Sequence, residues 1–268
     1  MGVRVNLTKR LVATMTVALL AISLSGLAAA QASDSRDNKT PRASASPKPT
    51  PTRTLSKQAI PKAMTMPLAG AAADQPVLGC VKTNAIPHYP IHLATYPDPR
   101  VAQVDRTFIL NTNCGPITFT AFGKKAPVTV ITMTFLAKAG FFDHSLCHRI
   151  TTASFYVLQC GDPTATGKGG PMFQYDDENK PTNAAVTYRA GTVAMANSGV
   201  DANGHGTNGS QFFIVYKDSP TLPPDYSIWG RVTSGLDIVK RVAAAGVVGG
   251  GTDGTPVQKI AIESVSVK

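Results

Sequence analysis

The chain has 268 residues, and 43% of them are apolar, which is enough for a sizeable hydrophobic core. The net charge of +10 comes mainly from residues 1–62, which contain ten Lys and Arg residues but only two Asp residues. Residues 63–268 carry sixteen basic and fourteen acidic side chains. This balance argues against nucleic acid as a partner of the folded part, because phosphate binding requires basic residues clustered on the domain itself.

Residues 1–32 have the order of a targeting sequence. Arg4, Lys9 and Arg10 precede an uncharged run at residues 11–30, which ends in small residues that form A-x-A patterns. The run has 20 residues, just enough to span a bilayer as an uncleaved anchor. We therefore expect an extracytoplasmic protein that is either secreted or anchored to the outer face of the membrane.

Residues 33–66 have the composition of a disordered linker. They include RASASPKPTPTRT and almost no large apolar side chains, so burial cannot offset the entropy of ordering this Pro-, Ser- and Lys-rich stretch. Residues 67–104 carry Cys80 and several prolines. We expect them to form an irregular extension against the edge of the following domain.

Residues 105–268 contain short apolar or alternating runs between turn signals, which is typical of strands. The runs are RTFILNT, GPITFTAF, SFYVLQC, GTVAMAN, QFFIVYK, YSIWGRV and KIAIESVSV. Residues 129–140 and 235–246 have helical spacing instead, and each stretch ends at a glycine. The pattern predicts a mainly β domain, an antiparallel sheet or closed barrel, with two α-helices.

Three segments of this domain carry the chemical information. They are CHRITTASFYVLQCGD at 147–162, MANSG followed by TNGSQFFIV within 195–215, and LPPDYSIWGRV at 222–232. In this order, and with GKGG at 167–170, they resemble the signature of cyclophilins, which are peptidyl-prolyl cis/trans isomerases. The resemblance implies an eight-stranded antiparallel closed barrel capped by two α-helices. It also implies an enzyme that isomerises X-Pro bonds. Together with the targeting sequence at residues 1–32, it leads us to expect action on exported proteins, whose folding outside the cytoplasm the enzyme would assist.

Isomerisation of an X-Pro bond breaks no covalent bond, but the amide must twist across a barrier of about 18–20 kcal/mol. A permanently charged guanidinium can donate to the prolyl nitrogen or hold the neighbouring carbonyl without an acid/base cycle. The resemblance assigns this catalytic role to Arg149, with Gln211 as a second catalytic residue. The chemistry requires no metal and no cofactor.

The resemblance also implies a substrate-binding site for proline-containing polypeptides, and we expect the protein to be a monomer. The proline pocket would be lined by Tyr156, Val157, Phe213, Leu222 and Tyr226. The substrate backbone would be aligned by Gln159, Ala196, Asn197 and Gln211. Two of these residues, Gln159 and Gln211, lie in otherwise apolar strands, where an amide is costly unless it has hydrogen-bond partners.

Some positions depart from well-known family members. The interval between the His-Arg pair and the Gln of the first motif is two residues longer here, and Tyr156 and Val157 stand where a Phe and a Met are usual. Thr221 stands where many eukaryotic members carry a Trp that is a principal contact for cyclosporin, so the sequence does not predict tight binding of that drug.

Two further interpretations use the same residues. A Cys/His protease is disfavoured because Cys147 and His148 are adjacent in a strand and therefore face opposite sides. A cyclophilin-like module or chaperone that binds proline-containing segments with little turnover would use the same pocket, and it remains the alternative. Arg149 and Gln211 favour the enzyme, because binding of a proline ring requires neither residue.

The four cysteines fit export into an oxidising compartment. Cys147 and Cys160 flank two strands that we expect to pair, which suggests a cross-strand disulfide. Cys80 and Cys114 would then tie the irregular extension to the barrel. Four cysteines allow three pairings, and sequence alone does not choose among them.

Overall fold

The computed structural model describes residues 79–91, 93, 97–98, 103–182 and 188–268. The predicted targeting segment and linker, residues 1–66, lie outside the described residues. No helix among the described residues is both long and apolar enough to cross a membrane.

The described residues form one sheet of ten strands and two α-helices. The strands are β1 (Arg106–Thr112), β2 (Gly115–Ala121), β3 (Ser145–Leu146), β4 (Arg149–Thr151), β5 (Val157–Cys160), β6 (Thr192–Met195), β7 (Phe212–Val215), β8 (Ile228–Ser234), β9 (Asp253–Gly254) and β10 (Ala261–Val267). The helices are α1 (Pro127–Lys138) and α2 (Leu236–Ala244). Every strand pairing is antiparallel, and the spatial order is β3-β10-β1-β2-β8-β6-β7-β5-β4-β9.

The sheet curls back toward its own start. Strand β3 pairs with β10 at one end of the order, and β4 pairs with β5 and β9 at the other end. Only Cys147 and His148 separate β3 from β4, so Leu146 and Arg149 are at most about 11 Å apart. The two ends of the sheet must therefore approach each other, which gives a barrel-like wall.

The predicted fold class is confirmed, with a correction to the strand count. The structure has ten strands within the described residues instead of the eight that the resemblance implies. The two extra strands, β3 and β9, have two residues each and are too short to leave an alternating pattern in the sequence. The predicted helices at 129–140 and 235–246 are confirmed, with ends that shift by one or two residues.

An aromatic cluster fills the interior of the curled sheet. Trp229 is 1% exposed, and its ring meets Phe119, Phe108 and Phe212 edge-on, with ring centroids 5.0, 5.3 and 6.0 Å away. Such edge-to-face pairs add to the stabilisation that burial of the rings provides. The interior is therefore packed with side chains, and any ligand must bind on the outside of the wall.

Strands β5 and β7 present two apolar faces. Leu158 and Ile214 belong to the interior core, whereas Val157 and Phe213 belong to a separate buried cluster on the opposite side. This follows from the period of two along a strand, which sends neighbouring side chains to opposite faces. The outer cluster is the floor on which the candidate site is built.

Two disulfides join distant parts of the chain. Cys80 is bonded to Cys114, and Cys147 is bonded to Cys160, so all four cysteines are paired. The predicted pairing is confirmed. The first bond anchors residues 79–91, which form no helix or strand, beside the turn between β1 and β2. The second bond lies at the end of the β4–β5 pair.

Candidate active site

Strand pairing places three predicted site residues side by side. Arg149 on β4 lies opposite Gln159 on β5, and Gln159 lies opposite Phe213 on β7. Side chains directly opposite each other on antiparallel strands share a face and interact. Accordingly, Nη1 of Arg149 donates to Oε1 of Gln159 at 3.1 Å. The row combines a cation, an amide and an aromatic ring on the outer face of the sheet.

A cavity of about 160 Å³ lies over this row. It is lined by Arg149, Phe155, Val157, Gln159, Ala196, Asn197, Phe213, Leu222 and Tyr226. Its floor is apolar, because Val157 and Phe213 are 2% and 4% exposed and Tyr226 packs edge-on against Phe213 at 5.3 Å. Sites for drug-sized ligands usually measure about 300–1,000 Å³. This cavity is therefore suited to one small apolar side chain.

The cavity brings together eight of the ten predicted site residues, and Tyr156 is one of the two that it does not include. The ring of Tyr156 packs on Tyr216 at 5.9 Å, and the ammonium of Lys217 lies 4.4 Å from its centroid. The assignment of Tyr156 to the pocket is corrected to Phe155, which lines the cavity. Val157 belongs to the outer cluster at the cavity, whereas Tyr156, which precedes β5, packs against the interior core.

Gln211 is the second predicted residue that lies outside this cavity. It lines an adjacent cavity of about 320 Å³ that Gln159, Ala196 and Asn197 also border. Its Oε1 accepts a hydrogen bond from Nε2 of Gln159 at 2.9 Å, whereas Arg149 bonds to Gln159 instead. Gln211 therefore contacts the row through Gln159. The side-chain amides of Gln159 and Gln211 both have hydrogen-bond partners, which offsets the cost of placing them among apolar residues.

Asn197 is held mainly by the protein itself. Its Nδ2 donates to Oδ1 of Asp177 at 3.2 Å and to the carbonyl of Asp225 at 3.1 Å, which uses both amide hydrogens. Its Oδ1 accepts from the backbone N–H of Gly199 at 3.2 Å. The side chain thus fixes the wall of the cavity. A substrate would form hydrogen bonds with the backbone of Asn197 and not with its side chain.

A buried carboxylate organises the glycine-rich loop beside Gln211. Asp162 is 0% exposed and accepts backbone hydrogen bonds from Thr164, Gly167 and Gly169 at 2.8, 2.7 and 3.1 Å. Gly169 approaches it so closely that a Cβ atom there would collide with Oδ1. The loop carbonyls of Gly167 and Gly169 in turn accept from Nε2 of Gln211 at 3.0 and 2.8 Å. Sequence reasoning missed Asp162, although a Gly-Asp turn before a Thr- and Gly-rich run was a usable signal.

The pKa of Asp162 is lowered. Burial by itself would raise this pKa, but the hydrogen bonds from Thr164 and Gly169 and the proximity of His148 outweigh it. A lowered pKa in the folded state stabilises the fold at pH values above the unfolded pKa, and this contribution is lost as pH falls through the folded value.

We expect Asp162→Asn to lower the free energy of unfolding by about 2 kcal/mol at pH 7, because hydrogen bonds to a charged acceptor are replaced by weaker ones. The variant should also lose part of the acid sensitivity that the wild type shows below about pH 4. Urea unfolding at pH 7 and pH 3.5, followed by tryptophan fluorescence, measures both effects. Asp201→Asn is the matched control, because Asp201 accepts two backbone N–H groups in an exposed loop. Equal stability of the Asp162 and Asp201 variants would contradict the assigned role.

His148 does not have the environment of a catalytic base. Both of its ring nitrogens are buried without a hydrogen-bond partner among the described residues. Burial lowers its pKa, with a smaller lowering from Arg149 and an opposing effect of Asp162. Its neighbour Cys147 is locked in a disulfide. The Cys/His protease interpretation therefore lacks its nucleophile.

An acidic residue that sequence reasoning did not identify holds Arg149. Oδ1 of Asp253 accepts from Nε of Arg149, and Oδ2 accepts from Nη2, both at 2.7 Å. The guanidinium carbon also lies 5.9 Å from the ring centroid of Phe155. The hydrogen bond with Asp253 is the main reason that the pKa of Arg149 is raised and that of Asp253 is lowered. Arg149 is therefore charged and oriented at the rim of the cavity.

A curled antiparallel sheet with a small cavity of apolar floor on its outer face, and an oriented guanidinium at the rim, defines a cyclophilin-type domain. Residues 107–267 match the family profile described as "Cyclophilin type peptidyl-prolyl cis-trans isomerase/CLD", and the chain belongs to this family. The predicted resemblance is thereby confirmed.

Named relatives agree with this family. The "Probable peptidyl-prolyl cis-trans isomerase B" of Mycobacterium tuberculosis (strain ATCC 25618 / H37Rv) is 43% identical over 175 residues, which cover 61% of this chain and 54% of the relative. The protein of the same name from Mycobacterium leprae is 41% identical over 165 residues, which cover 58% of this chain and 54% of that relative. The chain thus spans about half the length of these curated relatives.

Solved structures show the same fold. A cyclophilin type peptidyl-prolyl cis-trans isomerase of Cryptosporidium parvum aligns with a TM-score of 0.53 and 29% identity, covering 62% of this chain and 98% of that chain. A second structure of that protein, in the presence of the dipeptide Ala-Pro, aligns with a TM-score of 0.51 and 28% identity. The alignment covers 60% of this chain and 98% of that chain.

Proposed function

We propose that the protein is a peptidyl-prolyl cis/trans isomerase that acts on X-Pro bonds of exported polypeptides. The observation that carries the proposal is the position of Arg149, whose oriented guanidinium borders a cavity sized for one small apolar side chain. Catalysis of this reaction requires stronger binding of the twisted amide than of the planar one. A fixed cation that donates hydrogen bonds at the rim of a proline pocket supplies that difference.

The substrate would insert its proline ring between Val157, Phe213, Leu222 and Tyr226. Burial of the ring would fix the prolyl side of the bond, while Arg149 donates to the prolyl nitrogen or to the adjacent carbonyl. Gln159 lies between Arg149 and Gln211 and would align the substrate backbone along the row. No proton needs to be transferred, which agrees with the lowered pKa of His148, caused mainly by burial, and with the lack of a hydrogen-bond partner for its ring among the described residues.

Action outside the cytoplasm is part of the proposal. The basic, apolar and small-residue order of residues 1–32 supports export, and the two disulfides fit an oxidising compartment. We propose that the first segment either is removed or anchors the domain to the outer face of the membrane. Recovery of the chain only from the cytosol, with all four thiols reduced, would contradict this part of the proposal.

The full-length protein should accelerate the cis/trans isomerisation of a short Ala-Pro peptide, measured by exchange NMR. Phe155→Ala should lower kcat/KM about tenfold, because loss of buried aromatic contact with the ring corresponds to about 1.5 kcal/mol. Tyr156→Ala, which removes a neighbouring aromatic ring outside the cavity, should retain most of the activity.

If the folded wild type gives no acceleration but binds the peptide, the protein is the alternative, a proline-binding module. Retention of a pocket without turnover is the distinguishing result. Equal losses in the Phe155 and Tyr156 variants would contradict the placement of the cavity.

A further inference from the structure

Strand β9 brings an acidic side chain beside Arg149 from more than 100 residues away. Asp253 lies opposite Thr151 in the β4–β9 pair, and its carboxylate reaches back along β4 to the guanidinium. The two carboxylate oxygens each accept one N–H group at 2.7 Å, from Nε and from Nη2. This is the bidentate, charge-assisted geometry that orients an arginine most strongly.

The hydrogen bonds of Arg149 can be counted against its donors. A guanidinium has five N–H donors in one rigid plane. Asp253 accepts two of them and Gln159 accepts a third. Among the described residues, two N–H groups therefore remain, one on Nη1 and one on Nη2. Because the plane is rigid, holding the Nε and Nη2 edge also fixes the direction of the two remaining donors.

The other contacts of Arg149 are too weak to fix this plane. Without Asp253, the guanidinium would retain, within the described part of the chain, one hydrogen bond of 3.1 Å to Gln159 and the Phe155 ring at 5.9 Å. The Arg149 side chain is 37% exposed, so solvent would leave several rotamers accessible. A single hydrogen bond at the end of a long side chain does not determine the direction of the other donors.

We propose that Asp253 is a positioning residue for catalysis, which orients Arg149 so that its two remaining donors face the substrate amide. The inference rests on the proposed isomerase function and extends it to a residue outside the cavity. A carboxylate beside the guanidinium also offsets part of its charge, which by itself would weaken catalysis. The two effects have opposite signs, so removal of Asp253 shows which one dominates.

The first test compares kcat/KM of the full-length protein and its Asp253 variants on the Ala-Pro peptide. Asp253→Ala and Asp253→Asn should lose about tenfold, mainly in kcat, because a misplacement of about 1 Å can cost up to about 100-fold. Asparagine offers a single acceptor oxygen, and its NH2 group would meet the second N–H donor of Arg149. Asp253→Asn should therefore not restore the activity. Asp253→Glu restores two acceptor oxygens at an exposed site and should remain within about threefold of the wild type.

A matched control removes a different exposed Asp–Arg pair. Asp237 bonds to Arg241 one turn later on α2, away from the cavity, and Asp237→Asn should leave kcat/KM unchanged. Unchanged or higher activity of Asp253→Ala, with normal thermal unfolding, would overturn the inference, because charge reduction would then outweigh positioning.

A second readout does not depend on activity. The Nε–Hε signal of Arg149, assigned by its loss in Arg149→Ala, should exchange slowly with solvent in the wild type and rapidly in Asp253→Asn. Asp253→Glu should restore the slow exchange. If the wild type proves inactive while this pattern holds, Asp253 orients Arg149 and the isomerase proposal alone fails. Exchange that is the same with and without Asp253 would overturn the inference in either case.

Discussion

Replacement of Arg149 by alanine should lower kcat/KM for an Ala-Pro peptide by about 100-fold or more. Removal of one preoriented donor to a reacting centre typically costs about 100- to 1,000-fold in kcat. Arg149 is the cation at the cavity rim, and its guanidinium is held by Asp253 and Gln159. The variant should fold normally, because the Asp253 side chain left behind is 50% exposed and can be hydrated. The rate is measured by exchange NMR, and folding by thermal unfolding.

Peptide binding separates catalysis from recognition in the same variant. Val157 and Phe213 form the apolar floor and do not depend on Arg149, so the Kd of the Ala-Pro peptide should change by less than about threefold. Arg149→Lys keeps the positive charge but lacks the planar fork, and it should recover little of the lost rate. Full activity of Arg149→Lys would show that charge alone suffices. Half or more of the wild-type rate in a folded Arg149→Ala would contradict the catalytic assignment.

The sheet could be predicted because its longer strands alternate. Strands such as β1 and β2 have seven residues each, and their alternating patterns follow from one face packed on the core. Strands β3 and β9 have two residues each, and no periodicity exists at that length. Their pairing depends on contacts between distant parts of the chain, which local sequence patterns do not contain.

The error at Tyr156 has a local cause. The turn between β4 and β5 contains Ser154 with a φ of 63°, so the alternation of β4 cannot be continued through it. Counting back from Gln159 in steps of two instead assigns Val157 of β5, and Phe155 just before the strand, to the outer face. The resemblance, which has a different spacing in this segment, placed Tyr156 and Val157 in one pocket, whereas the structure packs Tyr156 against the interior core and Val157 in the outer cluster.

The contact between Asp253 and Arg149 could not be predicted from the sequence. The segment GGGTDGT has the composition of a turn, and a single Asp within it fits that role. Its partner Arg149 lies 104 residues earlier in the chain. The curl of the sheet, which brings β9 alongside β4, creates the pair. Arg149 was therefore predictable as a candidate from its motif, but the acidic side chain that orients it was not.

Removal of the disulfide beside the site should reduce both stability and activity. The Cys147–Cys160 bond closes a loop with a sequence separation of 13, and loop entropy alone predicts a loss of about 3 kcal/mol for Cys147→Ala/Cys160→Ala. The bond also joins the segments that carry Arg149 and Gln159, which bond to each other at 3.1 Å. We therefore expect kcat/KM to fall about tenfold at temperatures where the variant remains folded.

The second disulfide provides the matched control, because it should affect stability alone. The Cys80–Cys114 bond has a sequence separation of 34, so its removal should cost about 4 kcal/mol by the same entropy argument. It ties residues 79–91 to the turn between β1 and β2, which contributes no residue to the cavity. Urea unfolding and peptide isomerisation, measured on both double variants, test this contrast. A selective loss of activity in the Cys147/Cys160 variant would show that the bond holds β4 and β5 in their catalytic register. Equal effects of the two variants on activity would mean that both bonds act only through global stability.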